Sequence, residues 1–232
     1  AEAREADLAL AQGRADLGPF HGVPCSIKEA FAVRGMPNTS GLVARKGRLA
    51  DTDAVTVTRL REAGAIVMGV TNTSELCMWM ESINKVYGRS NNPYDLSRTV
   101  GGSSGGEGAI VGAGGAPFGL GSDIGGSIRM PAFFNGVFGH KPTGGLVPNE
   151  GQYPSATSGI EDYVCTGPIT RRAEDLHPLL QALLKGDPRA ARLRDPAKVD
   201  IASLTVVCVE HDGRGRVDPE LARAQERAAA AL

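Results

Sequence analysis

Aromatic residues make up only 5% of this 232-residue chain, with a single Trp. No basic stripe interleaved with rings is therefore present to stack on bases, and charge is balanced at 25 Lys+Arg against 26 Asp+Glu, which removes nucleic acid as a direct partner. Histidine is scarcer still: His21, His140, His177 and His211 show no HExxH or His-rich spacing, and His177 and His211 read as ordinary surface or loop residues. The four cysteines, Cys25, Cys77, Cys165 and Cys208, are widely spaced and form no Cys-x-x-Cys. Each lies in an apolar stretch and reads as a buried small hydrophobe in a reducing, intracellular setting, so neither a metal nor an organic cofactor is expected. No run approaches the roughly 18 apolar residues of a spanning helix, and the opening Ala1-Glu2-Ala3-Arg4 is not a signal peptide.

Glycine is abundant, and it is concentrated. Of 31 glycines, 17 fall between Gly101 and Gly151, within and after the run GGSSGGEGAIVGAGGAPFGLGSDIGGSIR. Such loops bring backbone N–H groups close to a small anion, either a phosphate or an oxyanion. The phosphate reading fails: no Gly-x-x-x-x-Gly-Lys occurs, and neither Gly112/Gly114 nor Gly119/Gly121 is followed by the third glycine of a dinucleotide fingerprint. The hydroxyls of Ser103, Ser104, Ser122 and Ser127 remain.

A serine nucleophile needs a base and an oxyanion site. The consecutive amides of Ile124, Gly125, Gly126 and Ser127 can supply the second, with a helix expected to start near Arg129 and Pro131. Because Arg129 stands where a Gly-x-Ser-x-Gly elbow needs glycine, a histidine-based elbow is excluded. The other candidate base is Lys28, carried inward by the short apolar strand in GVPCSIKE; burial disfavours an ammonium and leaves neutral amine available. Taken alone, Lys28 reads more readily as a solvated lysine paired with Glu29.

Lys28 in GVPCSIKE, Ser103 in GGSSGGE and Ser127 in GSDIGGSIR resemble, in order and spacing, the three motifs of the amidase signature family. The resemblance runs from residue 18 to 180. Three further segments, SELCMW, GRSNNPYD and MPAFFNG, place the chain nearest the fatty-acid amide hydrolase branch. It implies that Ser127 is the nucleophile, Ser103 the bridging serine on an unusual cis peptide, and Lys28 the terminal base of a relay that forms an acyl-enzyme and hydrolyses amides. The 24-residue separation of the two loops selects Ser103 over Ser104 as the bridge, leaving Ser104 as support. Asp123 and Arg129 are expected to pair and keep the nucleophile loop in shape. Cys77 and Met78 are implied to border the substrate and oxyanion region; the run Met78-Trp79-Met80 reads equally as core or as cavity wall. Phe133, Phe134 and Phe138 read as core.

The expected substrate is a small-molecule amide, most readily a lipid amide. A glutaminase subunit of a tRNA-dependent amidotransferase and a non-catalytic fragment are the alternatives. The segment GSIRMPAFFNGVFGHKPT leans away from the first, because a glutamine site needs polar groups for both ends of the amino acid.

The implied fold is α/β, the amidase-signature fold with a mixed central sheet covered by helices, read as one domain over 1–232 and incomplete at both ends. Cytoplasmic or membrane-associated placement of the full protein, with any anchor in other segments, goes with that reading; the oligomeric state is not written in these residues. The pattern predicts helices over 4–12, 53–63, 107–112 and 173–184, strands over 65–70, 116–121 and 203–209, and a last helix capped by Asp218 and running to the end. Residues 187–199 read as a charged surface excursion, and Asn91-Asn92-Pro93-Tyr94 as a turn.

Overall fold

The Ala- and Glu-rich opening forms α1 (Glu2–Ala11), as its composition predicts. The apolar run before the first serine motifs forms β1 (Pro24–Lys28), whose last four residues are all buried. Next comes α2 (Val55–Glu62), which hides Val57 and Leu60 and stops where Gly64 takes φ 93°, the left-handed turn that ends many helices. The β-branched run after it forms β2 (Ile66–Thr71). A small antiparallel pair, β3 (Ile83–Asn84) and β4 (Gly88–Arg89), leads to α3 (Gly105–Gly112) and β5 (Phe118–Asp123). The remaining elements are α4 (Arg129–Asn135), β6 (Phe138–Gly139), β7 (Cys165–Thr170), α5 (Leu176–Leu183) and α6 (Pro219–Ala230).

These elements come from a computed structural model that describes residues 2–156, 159–209 and 213–232. The chain divides into two compact units, Ala1–Arg192 and Leu193–Leu232, with the boundary inside the charged excursion. In the first unit a five-stranded sheet runs in the order β2-β1-β5-β7-β6. β1 is parallel to both β2 and β5, whereas β7 is antiparallel to β5 and β6. The sheet is therefore mixed, as the implied fold requires. β5 and β7 are buried along their whole length, the pattern of strands covered on both faces rather than alternating. α3 packs on β1, β5 and α4, while α5 packs on β7 and α2, and Arg59 of α2 reaches the Leu183 carbonyl at 2.6 Å.

The second unit holds two short 3-10 turns capped by Asp195 and Asp200, then α6. Asp218 caps α6 by accepting from Glu220 N at 2.8 Å, with Pro219 in the first turn. The strand expected over 203–209 is absent: Ile201–Ser203 is a 3-10 turn, and the residues up to 209 are exposed without regular structure. An apolar β-branched run becomes a strand only beside a partner edge, and this unit has no strand among the described residues. No helix of the described residues is long and apolar enough to cross a membrane.

Several burial expectations need correction. Phe133, Phe134 and Phe138 are exposed: α4 turns Pro131, Ala132 and Asn135 inward in place of Phe133 and Phe134, and Phe138 lies on β6 at the edge of the sheet. Cys25 and Cys165 are buried, but Cys77 is half-buried and Cys208 exposed. His177 is half-buried on α5, and His211 lies outside the described residues. The turn at Asn91–Tyr94 is present, closed by Asn92 Oδ1 accepting from Tyr94 N at 2.9 Å.

Candidate active site

Lys28 ends β1 between the two neighbouring parallel strands and is fully buried. Its Nζ lies 2.6 Å from Ser103 Oγ and 3.0 Å from Ser122 Oγ. Burial pushes the Lys28 amine down; the nearby Cys77, Asp123 and Glu107 pull it back up. A neutral amine at hydrogen-bond distance from a serine hydroxyl can accept that serine's proton. The expected pairing with Glu29 does not form. Successive residues of a strand face opposite sides, and Glu29 instead accepts from Thr39 N, Thr39 Oγ1 and Tyr87 OH on Oε1 and from Ser40 N on Oε2, all at 2.6–2.7 Å.

Ser103 is held from both sides. The peptide bond Gly102–Ser103 is cis, and Ser82 Oγ donates to the Ser103 carbonyl at 3.1 Å while accepting from Gly105 N at 2.8 Å. Ser104 links the two loops: its Oγ donates to the Ser122 carbonyl at 3.2 Å, and its N–H donates to the Ser127 carbonyl at 3.1 Å.

Ser127 is half-buried just ahead of α4. Among the described residues its hydroxyl has no hydrogen-bond partner, and none joins it to Ser103. Its loop is shaped by Asp123, whose Oδ1 accepts from Gly126 N (2.7 Å) and Arg129 Nη2 (3.0 Å). Oδ2 accepts from Ile128 N (3.0 Å), Arg129 N (3.2 Å) and Arg129 Nε (3.0 Å). Burial alone would raise the Asp123 carboxyl; the Arg129 fork and the three amides outweigh it and hold the group at about 2. The Gly126 N–H is therefore spent on Asp123. Of the four amides expected to converge, those of Ile124, Gly125 and Ser127 have no partner among the described residues and stay free to bind an oxyanion.

Cys77 and Met78 follow a tight turn in which Leu76 and Cys77 take φ 53° and 60°, a region that costs non-glycine residues free energy. Ser40 secures it by accepting from Leu76 N at 2.7 Å, and Ser40 is itself anchored by Glu29. Cys77 is near enough to Lys28 to act on its charge, with Sγ 3.6 Å from Ser40 Oγ and Thr73 Oγ1. Met78 is 78% exposed, followed by exposed Trp79 and Met80, so this run is surface rather than core.

Ser122, Glu29 and Glu107 also belong to this neighbourhood; all three lie within the motif segments, but the sequence alone assigns none of them a role at the site. Glu107 is fully buried in the first turn of α3, with carboxyl contacts to Ser26 and Thr71. Among the described residues no group of three His, Cys, Asp or Glu could hold a metal ion.

A family model described as Amidase matches residues 1–232. The chain belongs to the amidase family. It is 52% identical to human fatty-acid amide hydrolase 2 over 97% of its own length and 44% of that protein. It is 34% identical to an acetamidase of Aspergillus oryzae over 97% of this chain and 44% of that one. A solved fatty acid amide hydrolase superposes with TM-score 0.87 at 32% identity, covering 99% of this chain and 42% of that structure. The chain thus spans less than half the length of the curated relatives it matches. The amidase fold expected from the motifs is the fold these neighbours share.

Proposed function

We propose that this amidase-family chain carries the catalytic loops of an amide hydrolase acting on fatty-acid amides. The observation that supports it most directly is the buried Lys28 Nζ at 2.6 Å from Ser103 Oγ. In this reading Ser127 Oγ attacks the amide carbonyl carbon and passes its proton to Ser103, as Ser103 passes its own to neutral Lys28. The oxyanion forms against the free amides of Ile124, Gly125 and Ser127. The C–N bond then breaks, the proton returns along the same path to the leaving nitrogen, and water hydrolyses the acyl-Ser127 ester. The step from Ser127 to Ser103 requires the Ser127 hydroxyl to turn toward Ser103 when substrate arrives, since catalytic hydrogen bonds often tighten only in the complex.

A lipid amide is favoured over glutamine by the exposed apolar residues Met78, Trp79, Met80 and Ile124 beside these loops. A glutamine site would need charged partners for an α-amino and an α-carboxylate group instead. The name of the human relative points the same way.

The test is labelling with a fluorophosphonate, located by peptide mass spectrometry, beside turnover of oleamide and of glutamine. The expected adduct is on Ser127, absent in Ser127→Ala and strongly slowed near neutral pH in Lys28→Ala. Glutamine turnover without oleamide turnover would replace the lipid reading with the glutaminase one, and an adduct indifferent to Lys28 would sink the relay.

A further inference from the structure

Glu107 has no part in the proton relay, yet the fold builds a socket for it. Its Oε2 accepts from Ser26 Oγ and its Oε1 from Thr71 Oγ1, both at 2.5 Å. Both partners are defined by Lys28. Ser26 lies two residues before Lys28 on β1, hence on the same face of the strand, and Thr71 is directly opposite Lys28 in the parallel β1–β2 register. The third wall is Gly119 of β5, the register partner of Ser26. A Cβ on Gly119 would overlap Glu107 Oε2 and stand 2.8 Å from Cδ and 2.9 Å from Ser26 Oγ. Three adjacent strands thus leave one carboxyl-sized space beside the buried lysine.

A carboxylate in the first turn of a helix needs no such socket, because an exposed acid serves the helix dipole equally well. A fully buried one costs several kcal/mol unless it is paired. The groups that work against this are the Ser26 and Thr71 hydroxyls and then Lys28, a cation acting on Glu107. The other titratable groups around the pair are Cys25 on β1, Cys77 on the 75–77 turn and Asp123 at the end of β5. α4 contributes Arg129, which is spent on Asp123, and β7 contributes Cys165, 3.1 Å from Lys141 Nζ.

We propose that Glu107 is a positioning residue of the relay: its socketed carboxylate is a counter-charge that helps set how readily Lys28 gives up its proton. The inference rests on the Lys28 relay proposed above. Burial pushes the Glu107 carboxyl up to about 7 against the pull of Ser26, Thr71 and Lys28, so near neutral pH two buried groups divide their protons between them. Glu107 then acts on catalysis without touching substrate, by biasing the ammonium of Lys28 against the neutral amine that accepts from Ser103.

The experiment is the pH dependence of fluorophosphonate labelling of Ser127 in the full chain, with Lys28→Ala as control. Glu107→Gln keeps the shape and removes the charge, so the ammonium loses its support and the acidic limb of the rate moves to lower pH by about one unit. Thr71→Val removes one donor that favours the carboxylate and shifts the limb the same way by less, so it carries the test if Glu107→Gln fails to fold. Glu107→Asp, which keeps the charge, brings the limb back toward wild type; a purely structural role would change the yield of folded protein and leave the midpoint in place. Lys28-dependent labelling with the same midpoint in wild type, Glu107→Gln and Thr71→Val overturns this inference alone. Absence of labelling at Ser127 in the wild type, or labelling that Lys28→Ala leaves unchanged, overturns the relay and this inference with it.

Discussion

Replacing Asp123 by Asn asks whether the nucleophile loop owes its shape to charge. The carboxylate accepts five N–H bonds, two on Oδ1 and three on Oδ2, and its side chain is fully buried. Asn offers one carbonyl oxygen, so its NH₂ must confront either the Gly126 and Arg129 Nη2 donors or the Ile128 and Arg129 donors. The Arg129 side chain is 55% exposed and can turn to water, but the Gly126 or Ile128 amide cannot do so without moving the loop. Holding the carboxyl at about 2 instead of the ordinary value near 4 corresponds to about 2.5 kcal/mol of stability. Orphaning one amide adds about 1 kcal/mol, so Asp123→Asn should cost about 3–4 kcal/mol at neutral pH. Because the folded value is depressed, the charge contribution is present above the unfolded value near pH ~4 and is lost as pH falls toward about 2. Urea unfolding of both proteins should therefore show the full difference at pH 7 and a difference of only about 1 kcal/mol at the lowest pH where both still fold. A gap below about 1 kcal/mol at pH 7, or one that does not narrow with acid, would refute the reasoning.

Two further perturbations test the packing around the lysine. Gly119→Ala places a methyl where the Glu107 carboxyl sits, and should destabilise by about 2–3 kcal/mol; adding Glu107→Ala should recover part of that loss in thermal melts, whereas additive losses would argue against the socket. Glu29→Gln removes the charge that gathers Thr39, Ser40 and Tyr87 and should cost about 2 kcal/mol. Burial and then Glu29 hold the Tyr87 phenol up at about 12, so ultraviolet titration of Glu29→Gln should show one tyrosine ionising at lower pH than in wild type, and an unchanged curve would contradict that assignment.

The fold class is legible in the sequence because strand and helix runs alternate, and because Gly64 and the Asp218-Pro219 pair mark a helix end and start with local chemistry alone. The site is legible where a loop announces itself: Asp123 pairs with Arg129 as expected, and Ser104 joins the two serine loops. What escapes depends on register. Nothing in the order of residues says that Thr71 stands opposite Lys28, so the contacts of Glu107 stay hidden and the adjacent Glu29 looks like the lysine's partner. The exposed Phe133 and Phe134 escape for a related reason: on a helix of under two turns, Ala132 and Asn135 claim the inner face, and composition does not reveal which face that is. The run at 203–209 is β-prone in isolation, but propensity without a neighbouring edge makes no strand.

Glycine, so dense in these loops, also has a different use from the one its abundance suggests. Left-handed backbone matters at Gly126, with φ 124°, where the chain turns its amide to Asp123. Elsewhere the missing side chain is what counts. On α3, a Cβ at Gly106 would lie 2.6 Å from both N and O of Asn72, so the helix sits against the segment following β2 only because that position is bare. This close seating brings the first turn of α3 down onto the strands, with Ser103 just before it within 2.6 Å of Lys28 and Glu107 just inside it within reach of Ser26 and Thr71. In the proposed relay, the same packing that dehydrates the lysine, and so favours its neutral amine, also buries the carboxylate that opposes this. On that reading the reactivity of the pair follows from how closely one glycine-lined helix approaches three strands, and a side chain added at Gly106 or Gly119 should disturb the proton balance as well as the fold.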